Sequence, residues 1–318
     1  MGLFENMDYV FEVYNEGSFS KAAKNLYISQ PSLSASVKRI EDRLGYPIFD
    51  RSTKPLRLTE FGKKYIESML AVKKIEKDFA DYINDYGGLK TGTLKFGGTN
   101  LVSSLVAPKL ISTFRALYPQ IEVELIEGIT EDLEEMLDEG SLDMVMDYSM
   151  PYADCFDYVK LANEYIVLTV PKGFKINEKL KEYTIDIDDI RNGKILKGNM
   201  APVPLSYFKD IPFVLLKKKN DTYKRAISMC SDAGFEPRKI FESAQQMTAY
   251  HVCSSGMGAA FVSSMLLSRV PENPNLVYYK LDSDLSRREL CLLWKKESYL
   301  TRTMEEFKNL AVRESKNW

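Results

Sequence analysis

Residues 29–45 read SQPSLSASVKRIEDRLG, and this stretch decides the fold of the amino-terminal region. Ser29 suits the N-cap of a helix, and Pro31 suits its first turn, where a backbone N–H is not needed. One face of this helix carries small polar residues and cations, which suit either a solvated surface or contact with an anionic partner. Gly45 can end the helix. Apolar residues recur at helical spacing along the other face, and they are Leu33, Val37, Ile40 and Leu44.

Two shorter helical patterns precede this stretch. Residues 4–15 carry one apolar stripe, and Gly17 is suited to end that helix. A serine at position 18 or 20 can cap a second short helix, SKAAKNL. Its paired alanines, Ala22 and Ala23, are small enough to let two helix backbones cross closely. The pattern predicts three helices packed around one small core.

The segment after Gly45 predicts a β-hairpin. Residues 47–62 read PIFDRSTKPLRLTEFG, two short extended pieces around a turn at Thr53-Lys54-Pro55. Arg51 lies in the first piece, where it can enter a minor groove or contact a phosphate backbone. Three helices followed by such a wing make a winged helix-turn-helix, which we expect to span residues 1–58.

The net charge of the chain hides a local basic patch. The whole protein carries a formal charge of −2, yet residues 18–64 hold ten lysines and arginines against four carboxylates, a net charge of about +6. Phosphate contact requires a local patch of this kind, and the charge of the rest of the chain need not follow it.

These residues resemble the signature of LysR-type transcriptional regulators. The resemblance is carried by about 60 residues with fixed spacing, among them Gly17-Ser18-Phe19, Ala22-Ala23, Ser29 through Ser34, Leu44-Gly45 and Leu58-Thr59-Phe61-Gly62. It implies that the first turns of the third helix face the major groove and that Lys38 and Arg51 lie near the backbone or a groove. The predicted DNA-binding residues are Gln30, Pro31, Ser32, Ser34, Ala35, Lys38, Arg39, Arg51 and Lys54.

A long helix is predicted to connect this domain to the rest of the chain. A helical pattern runs from Thr59 to about Tyr86, within a predicted linker at 59–88, and keeps a heptad seam throughout. The seam needs a partner, either the same helix of a second chain or the protein's own carboxy-terminal domain. The resemblance favours the first, and a dimer matches a pseudo-palindromic DNA site. The predicted dimerisation residues are Phe61, Tyr65, Val72, Ile75, Phe79 and Tyr82.

From residue 89 onward the pattern alternates strands and helices. Two β-α-β-α-β units, at 93–147 and 212–263, predict two α/β lobes with mostly parallel sheets; the first includes one helix over 101–117. Residues 161–170 predict a strand that crosses between the lobes. This pattern is similar to the two-lobed periplasmic-binding-protein-like effector domain of LysR-type proteins. We expect lobe 1 at about 89–160 and 267–318 and lobe 2 at about 161–266.

Polar residues at strand ends are the candidates for binding an effector. Ligands of such sheets bind at the carboxyl ends of strands, near helix N-termini. Threonine-rich helix starts suit a small organic anion, although the same residues suit plain helix caps, and Lys217 belongs to a run of lysines that suits a solvated turn. The predicted effector-binding residues are Thr99, Asn100, Ser103, Thr130, Tyr148 and Lys217.

Other site chemistries find little support in the sequence. The four cysteines are far apart and His251 is the single histidine, so we expect no metal site, no cofactor and no disulfide framework. The cysteines are read as buried apolar residues and His251 as a hydrogen-bonded structural residue of a helix. About residues 195–213 contain no cysteine, which disfavours sensing by the paired cysteines of some family members. No catalytic motif was found, and no apolar run reaches the length of a membrane span.

The sequence therefore predicts a cytoplasmic, sequence-specific regulator that binds double-stranded DNA under the control of a small molecule. It is expected to form a homodimer or homotetramer, to affect RNA polymerase indirectly, and to have no membrane contact. Two alternatives remain open: a constitutive DNA-binding regulator without a ligand, and an intracellular small-solute-binding protein.

Overall fold

The computed structural model describes residues 2–52, 55–86, 92–148, 155–197, 200–296, 298–316 and 318. The chain divides into two compact units, Met1–Asp81 and Tyr82–Trp318.

The first unit contains three short helices, a two-stranded wing and most of a long helix. Ser29 caps the third helix with an Oγ that accepts from the Ser32 N–H at 3.3 Å, and Gly45 ends it with φ of 80°. That left-handed conformation favours glycine. The elements are α1 (Met7–Glu16), α2 (Phe19–Asn25), α3 (Gln30–Leu44), β1 (Phe49–Asp50), β2 (Arg57–Leu58) and α4 (Glu60–Tyr86).

The start of α4 packs against the wing without space for a side chain at Gly62. A Cβ atom at Gly62 would lie 2.0 Å from the carbonyl oxygen of Ile48. Thr59 holds this junction: its Oγ1 donates to the Pro47 carbonyl at 2.6 Å and accepts from the Gly62 N–H at 2.9 Å. The wing and the long helix are therefore one packed body at this point.

The second unit opens with the first lobe. Its parallel strands are ordered β4-β3-β5, and β12 (Arg287–Lys295) and the first half of β6 continue the sheet antiparallel. The elements up to this crossover are β3 (Gly92–Thr99), α5 (Asn100–Leu105), α6 (Ala107–Leu117), β4 (Ile121–Gly128), α7 (Thr130–Asp138), β5 (Met144–Asp147) and β6 (Phe156–Pro171).

The helix predicted over 101–117 is two helices. The break lies at Val106, where φ is −112° and ψ is −53°. Pro108 is in the first turn of α6. Proline has no N–H to donate to the preceding turn, so a helix restarts there more readily than it continues.

The second lobe is a sheet ordered β6-β10-β8-β9, with β11 on the second half of β6 and β7 beside it. The strands β10, β8 and β9 are parallel to one another. Its elements are α8 (Ile176–Lys179), β7 (Thr184–Ile185), α9 (Ile187–Arg191), β8 (Pro212–Leu216), α10 (Asp221–Asp232), β9 (Arg238–Ser243), α11 (Gln246–Ser254), β10 (Ala259–Ser263), α12 (Ser264–Arg269) and β11 (Leu276–Lys280).

The return to the first lobe comes later than the sequence predicted. We expected residues 267–318 in lobe 1, but β11 pairs with the second half of β6, with Val277 opposite Val170. The chain returns with β12 (Arg287–Lys295), and α13 (Arg302–Ser315) then packs on lobe 1 through Phe307. The error arose because a lone apolar strand does not reveal which sheet it will join.

Candidate DNA-binding face and effector cleft

The outer face of α3 is polar and accessible. Leu33, Val37 and Ile40 are buried against α1 and α2. Among the predicted DNA-binding residues, Ser34 is half-buried, Arg39 also donates from Nη2 to its neighbour Ser36 at 2.8 Å, and Lys54 lies outside the described residues. The exposed members of this face are Gln30, Pro31, Ser32, Ala35, Lys38 and Arg39.

Arg51 connects the wing to α3. Its guanidinium donates to Glu41 Oε2 at 2.9 Å and to Ser34 Oγ at 3.1 Å, and it lies 5.0 Å from the centre of the Phe19 ring. The side chain keeps 39% of its surface exposed. Arg51 can therefore present a charge to DNA while it holds the wing in place.

Glu41 is a structural residue of this face that the sequence did not reveal. It is buried on α3, and its Oε1 accepts the backbone N–H groups of Ile48 at 2.8 Å and Phe49 at 3.1 Å. One carboxylate thus fixes the first strand of the wing and also binds Arg51. Glu41 lies four residues after Val37 and three before Leu44, at the edge of the apolar stripe, but its partners lie on the wing and could not be identified from the periodicity.

A second site lies between the two lobes of the second unit. A cavity of about 90 Å³ is bordered by the carboxyl ends of strands from both lobes and by the first turns of the helices that follow them. Its polar lining is contributed by Thr99, Asn100, Thr130 and Asp147 of lobe 1, by Lys219, Asn220, Asp221, Thr222, Gln245 and Gln246 of lobe 2, and by Arg288 of the crossover.

Asp147 is the buried acid on the lobe 1 side. Its carboxylate accepts from Thr130 Oγ1 at 2.5 Å, from the Tyr148 N–H at 2.7 Å and from Thr99 Oγ1 at 3.3 Å. Burial raises the pKa of Asp147, and the charge of Asp221 raises it further. Thr99 and Thr130, which were predicted from the sequence to bind an effector, therefore donate their hydroxyl hydrogens to a carboxylate of the protein itself.

Arg288 joins the crossover strands to lobe 2. Its Nε donates to Glu164 at 2.7 Å, and its Nη1 donates to Asp221 at 3.2 Å and to Thr222 at 3.1 Å. The guanidinium also lies 4.0 Å from the centre of the Tyr148 ring. Both members of the Arg288–Glu164 pair are almost fully buried. Arg288 therefore connects the crossover strands to the first turn of α10 in lobe 2.

Comparison with known proteins places this architecture in a family. Residues 4–63 match "Bacterial regulatory helix-turn-helix protein, lysR family", and residues 87–316 match "LysR substrate binding domain". The chain belongs to the LysR family. Its members are DNA-binding transcriptional regulators with an effector-binding domain, and this chain is such a regulator.

Individual relatives are similar to this chain over nearly its whole length. An uncharacterised HTH-type transcriptional regulator YcgK of Bacillus subtilis (strain 168) is 29% identical, covering 96% of this chain and 92% of its own. A full-length OxyR variant from Pseudomonas aeruginosa has the same fold, with a TM-score of 0.68 at 20% identity over 99% and 95% of the two chains. Full-length CbnR in complex with its target DNA has a TM-score of 0.59 at 18% identity, over 99% and 100%. The predicted fold class is confirmed.

The structure brings four of the six predicted effector residues of this LysR-family chain to the cavity. Thr99, Asn100, Thr130 and Tyr148 line it, whereas Ser103 and Lys217 do not. Ser103 is buried and its Oγ donates to the Gly98 carbonyl at 3.0 Å, so it closes the turn below the cavity. Lys217 is exposed, and Lys219 lines the cavity instead.

Several lining residues were not among those predicted from the sequence. Asp147 ends a strand that was predicted, so its position was a usable signal. Asp221 and Gln246 begin helices at corresponding places in lobe 2. Arg288 showed no local signal, because its buried partner Glu164, which is not itself in the lining, lies 124 residues away in the sequence.

The predicted seam of α4 divides into two parts. Phe61, Tyr65 and Val72 pack into the core of the first unit, and the Tyr65 ring lies 5.3 Å from that of Phe4. Tyr65 is buried and cannot form an interchain seam, which corrects that part of the prediction. The exposed part comprises Ile75 at 68% exposure, Phe79 at 63% and Tyr82 at 51%.

Three of the four cysteines are buried and one is exposed. Cys230, Cys253 and Cys291 are buried as predicted, and burial raises the pKa of Cys230 and of Cys253 to about 12. Cys155 is exposed, which corrects the prediction for that residue. His251 lies within α11 and is exposed, and its predicted hydrogen-bonded structural role stays a prediction. Within the described residues no helix is long and apolar enough to cross a membrane.

Proposed function

We propose that the outer face of α3 reads base edges in the major groove and that Arg51 contacts the adjacent backbone or groove. The observation that carries this proposal is an exposed polar helix face fixed to the wing by the Arg51–Glu41 ion pair. Gln30 is suited to a bidentate contact with a base, whereas Lys38 and Arg51 are suited to phosphates.

Selection of bound duplexes from a random DNA pool tests this assignment. Changing Gln30 to Ala should alter the selected sequence, whereas changing Lys38 to Gln should weaken binding to all duplexes by a similar factor. Arg51→Ala should weaken binding broadly and should also lower the melting temperature, since the wing loses its link to α3. Parent-like selection by all three variants would place the reading face elsewhere.

We infer that the interlobe cavity binds the effector and that the ligand carries hydrogen-bond donors. The sequence suggested a small organic anion, but the charges of the cavity do not favour a bare anion. Within the described part of the chain, Asp147 has no cationic partner among its hydrogen bonds, and the guanidinium of Arg288 is already occupied by Glu164 and Asp221. The ammonium of Lys219, the other cation of the lining, lies 3.7 Å from a carboxylate oxygen of Glu131. A small ligand with an ammonium or hydroxyl group would reach Asp147 and remove the cost of its burial.

Thermal-shift measurements with a panel of small molecules test the ligand class. Amino acids, amines and polyols should raise the melting temperature, and simple carboxylates of equal size should not. Asp147→Asn should abolish the shift while Lys217→Ala, outside the cavity, should leave it unchanged. A response to carboxylates alone would restore the anion hypothesis.

We further propose that two chains pair through the exposed carboxy-terminal half of α4. Ligand binding between the lobes would then act on DNA by favouring one arrangement of the paired chains, and a ligand that bound both arrangements equally would change nothing. We also propose that dimers pair into a tetramer and that the protein affects RNA polymerase indirectly. The same proposal includes a cytoplasmic location and the absence of catalysis. A footprint unchanged by every effector candidate would instead favour a constitutive regulator.

A further inference from the structure

The turn between α2 and α3 holds an aromatic side chain in an unusual setting. Tyr27 has φ of 53°, in the left-handed region, and 96% of its surface is exposed. Its backbone is fixed on both sides: the Tyr27 N–H donates to the Lys24 carbonyl at 3.1 Å, and the Ile28 N–H donates to the Ala23 carbonyl at 3.0 Å. The ring is thus held outward by a turn whose backbone is hydrogen-bonded on both sides.

The turn requires a left-handed backbone at position 27, because the two hydrogen bonds are those of a Schellman motif at the end of α2, but it does not require a tyrosine there. Left-handed φ is unfavourable for a side chain with a Cβ, and Gly or Asn adopts it more readily. Among the residues that the structure describes, none bonds to the Tyr27 hydroxyl and no ring stacks on it. The fold therefore accounts for the backbone conformation at position 27 but, within the described residues, gives the exposed tyrosine side chain no structural role.

The position of Tyr27 indicates what the ring would meet. It precedes the N-cap residue Ser29 by two positions, and the exposed residues Gln30 and Pro31 follow. On the other side of the turn, Lys21 and Lys24 are exposed on α2. Tyr27 therefore lies between the predicted base-reading turn of α3 and a pair of cations suited to phosphate.

We propose that Tyr27 is a DNA-contacting residue whose hydroxyl donates to a phosphate oxygen at the edge of the major groove. The inference rests on the proposed DNA-reading role of α3 and adds a contact that orients its N-terminus. A phenol is neutral, so the contact fixes register without adding charge, and a phosphate contact does not depend on the base sequence. The left-handed backbone is the means by which the turn presents the ring.

The test compares Tyr27→Phe with Tyr46→Phe in the full-length chain. Tyr46 is an exposed tyrosine at the other end of α3, so it is a matched control. Fluorescence anisotropy would measure Kd for the selected duplex and for a scrambled duplex at several NaCl concentrations. Tyr27→Phe should weaken binding by about tenfold to a hundredfold, as expected for loss of one hydrogen bond to a charged group, and equally on both duplexes. Tyr46→Phe should bind like the parent.

The salt dependence of Kd distinguishes a neutral hydrogen bond from a charged contact, and a second variant at position 27 distinguishes DNA contact from a structural role. Tyr27→Phe should leave the slope of log Kd against log salt unchanged, whereas Lys38→Gln should reduce it by about 0.9, because only the lysine releases a counterion. Tyr27→Asn should bind DNA at least as weakly as Tyr27→Phe, with a melting temperature equal to or above that of the parent, since Asn tolerates this φ.

Three outcomes would overturn the inference. If Tyr27→Phe bound DNA as tightly as the parent, the proposed contact between the Tyr27 hydroxyl and a phosphate would be excluded. A loss confined to the selected duplex would make the contact one with a base. A melting temperature of Tyr27→Asn well below the parent's would make Tyr27 a structural residue. If the parent itself bound neither duplex, the DNA-reading role of α3 would fail, and that result is distinct from the other three.

Discussion

Glu134 on α7 is a buried carboxylate beside two other acids. Burial raises its pKa to about 7, and the charges of Asp147 and Glu131 contribute. The folded chain therefore keeps this proton at pH values where the unfolded chain has released it. The contribution of Glu134 protonation to the free energy of unfolding is complete at low pH, and it is lost as the pH rises from about 4.5 to about 7.

We predict that Glu134→Gln stabilises the effector-binding unit at pH 8 and leaves it unchanged near pH 4.5. The gain in the free energy of unfolding should be on the order of 1–2 kcal/mol, since an ionised carboxylate is no longer buried. Denaturant unfolding at the two pH values measures it. Glu135→Gln, on the exposed side of the same helix, is the control and should change neither value. A stabilisation of equal size at both pH values would contradict the assignment.

The Arg288–Glu164 pair predicts a strong coupling between two substitutions. Arg288→Gln leaves Glu164 buried without a cation and should cost about 3 kcal/mol of unfolding free energy. Glu164→Gln in the Arg288→Gln background should restore part of that loss, because it removes the unpaired charge. A double-mutant cycle by denaturant unfolding measures the coupling. Additive effects of the two substitutions would mean that the pair is not a stabilising unit.

At the scale of elements, the wing is a part of the helical body. Two strands of two residues each could not stand alone, and tertiary contacts hold them: Glu41 binds the N–H groups of Ile48 and Phe49, Arg51 returns to α3, and α4 begins directly on the Ile48 carbonyl. The orientation of the wing relative to α3 is therefore set by side chains of α3 and by the absence of one at Gly62.

We predict that Gly62→Ala lowers the free energy of unfolding of the first unit by at least about 2 kcal/mol. The added methyl group would meet a backbone oxygen that cannot move without displacing the wing. Thermal unfolding followed by circular dichroism measures the change, and DNA affinity should fall with it. Gly173→Ala is the control, because an added Cβ there meets nothing within 4 Å. A parent-like melting temperature for Gly62→Ala would show that the wing base is adaptable.

At the scale of the whole molecule, the exposed half of α4 is the feature that calls for a second chain. Ile75, Phe79 and Tyr82 recur at spacings of four and three on one side of a 27-residue helix, and Ile83 beside them is also exposed. Such a row of large apolar side chains is typical of a helix that pairs.

We predict that Ile75→Glu combined with Phe79→Glu breaks the pairing of chains through α4. Burying glutamates at a helix seam is unfavourable, so the mass measured by sedimentation velocity should halve at micromolar concentration. Affinity for a two-half-site duplex should fall by more than tenfold, as the two reading heads no longer bind together. Glu76→Ala, exposed on the same helix, should keep the parent mass. An unchanged mass in the double variant would place the pairing surface elsewhere.

Much of the fold was predictable because its signals are local. The caps at Ser18 and Ser29, the apolar stripe of α3 and the strand-helix alternation of the two lobes depend on neighbours within a few residues. The site was predictable only in part. Thr99 and Thr130 end or follow predicted strands, but their hydrogen bonds to Asp147 show that they hold an acid.

The sequence by itself determined the winged helix-turn-helix, the polar outer face of its third helix and the family, because periodicity, capping and fixed spacing are properties of short segments. Residues 29–45 were sufficient for α3, its inner stripe and its outer face. Only the tertiary structure decided that Glu41 and Arg51 fix the wing, that Tyr65 is buried, and that β11 belongs to the second lobe. It alone brought Arg288 to Glu164 and Asp221. These are contacts between segments far apart in the chain, and burial, which sets their energies, exists only after the chain has folded.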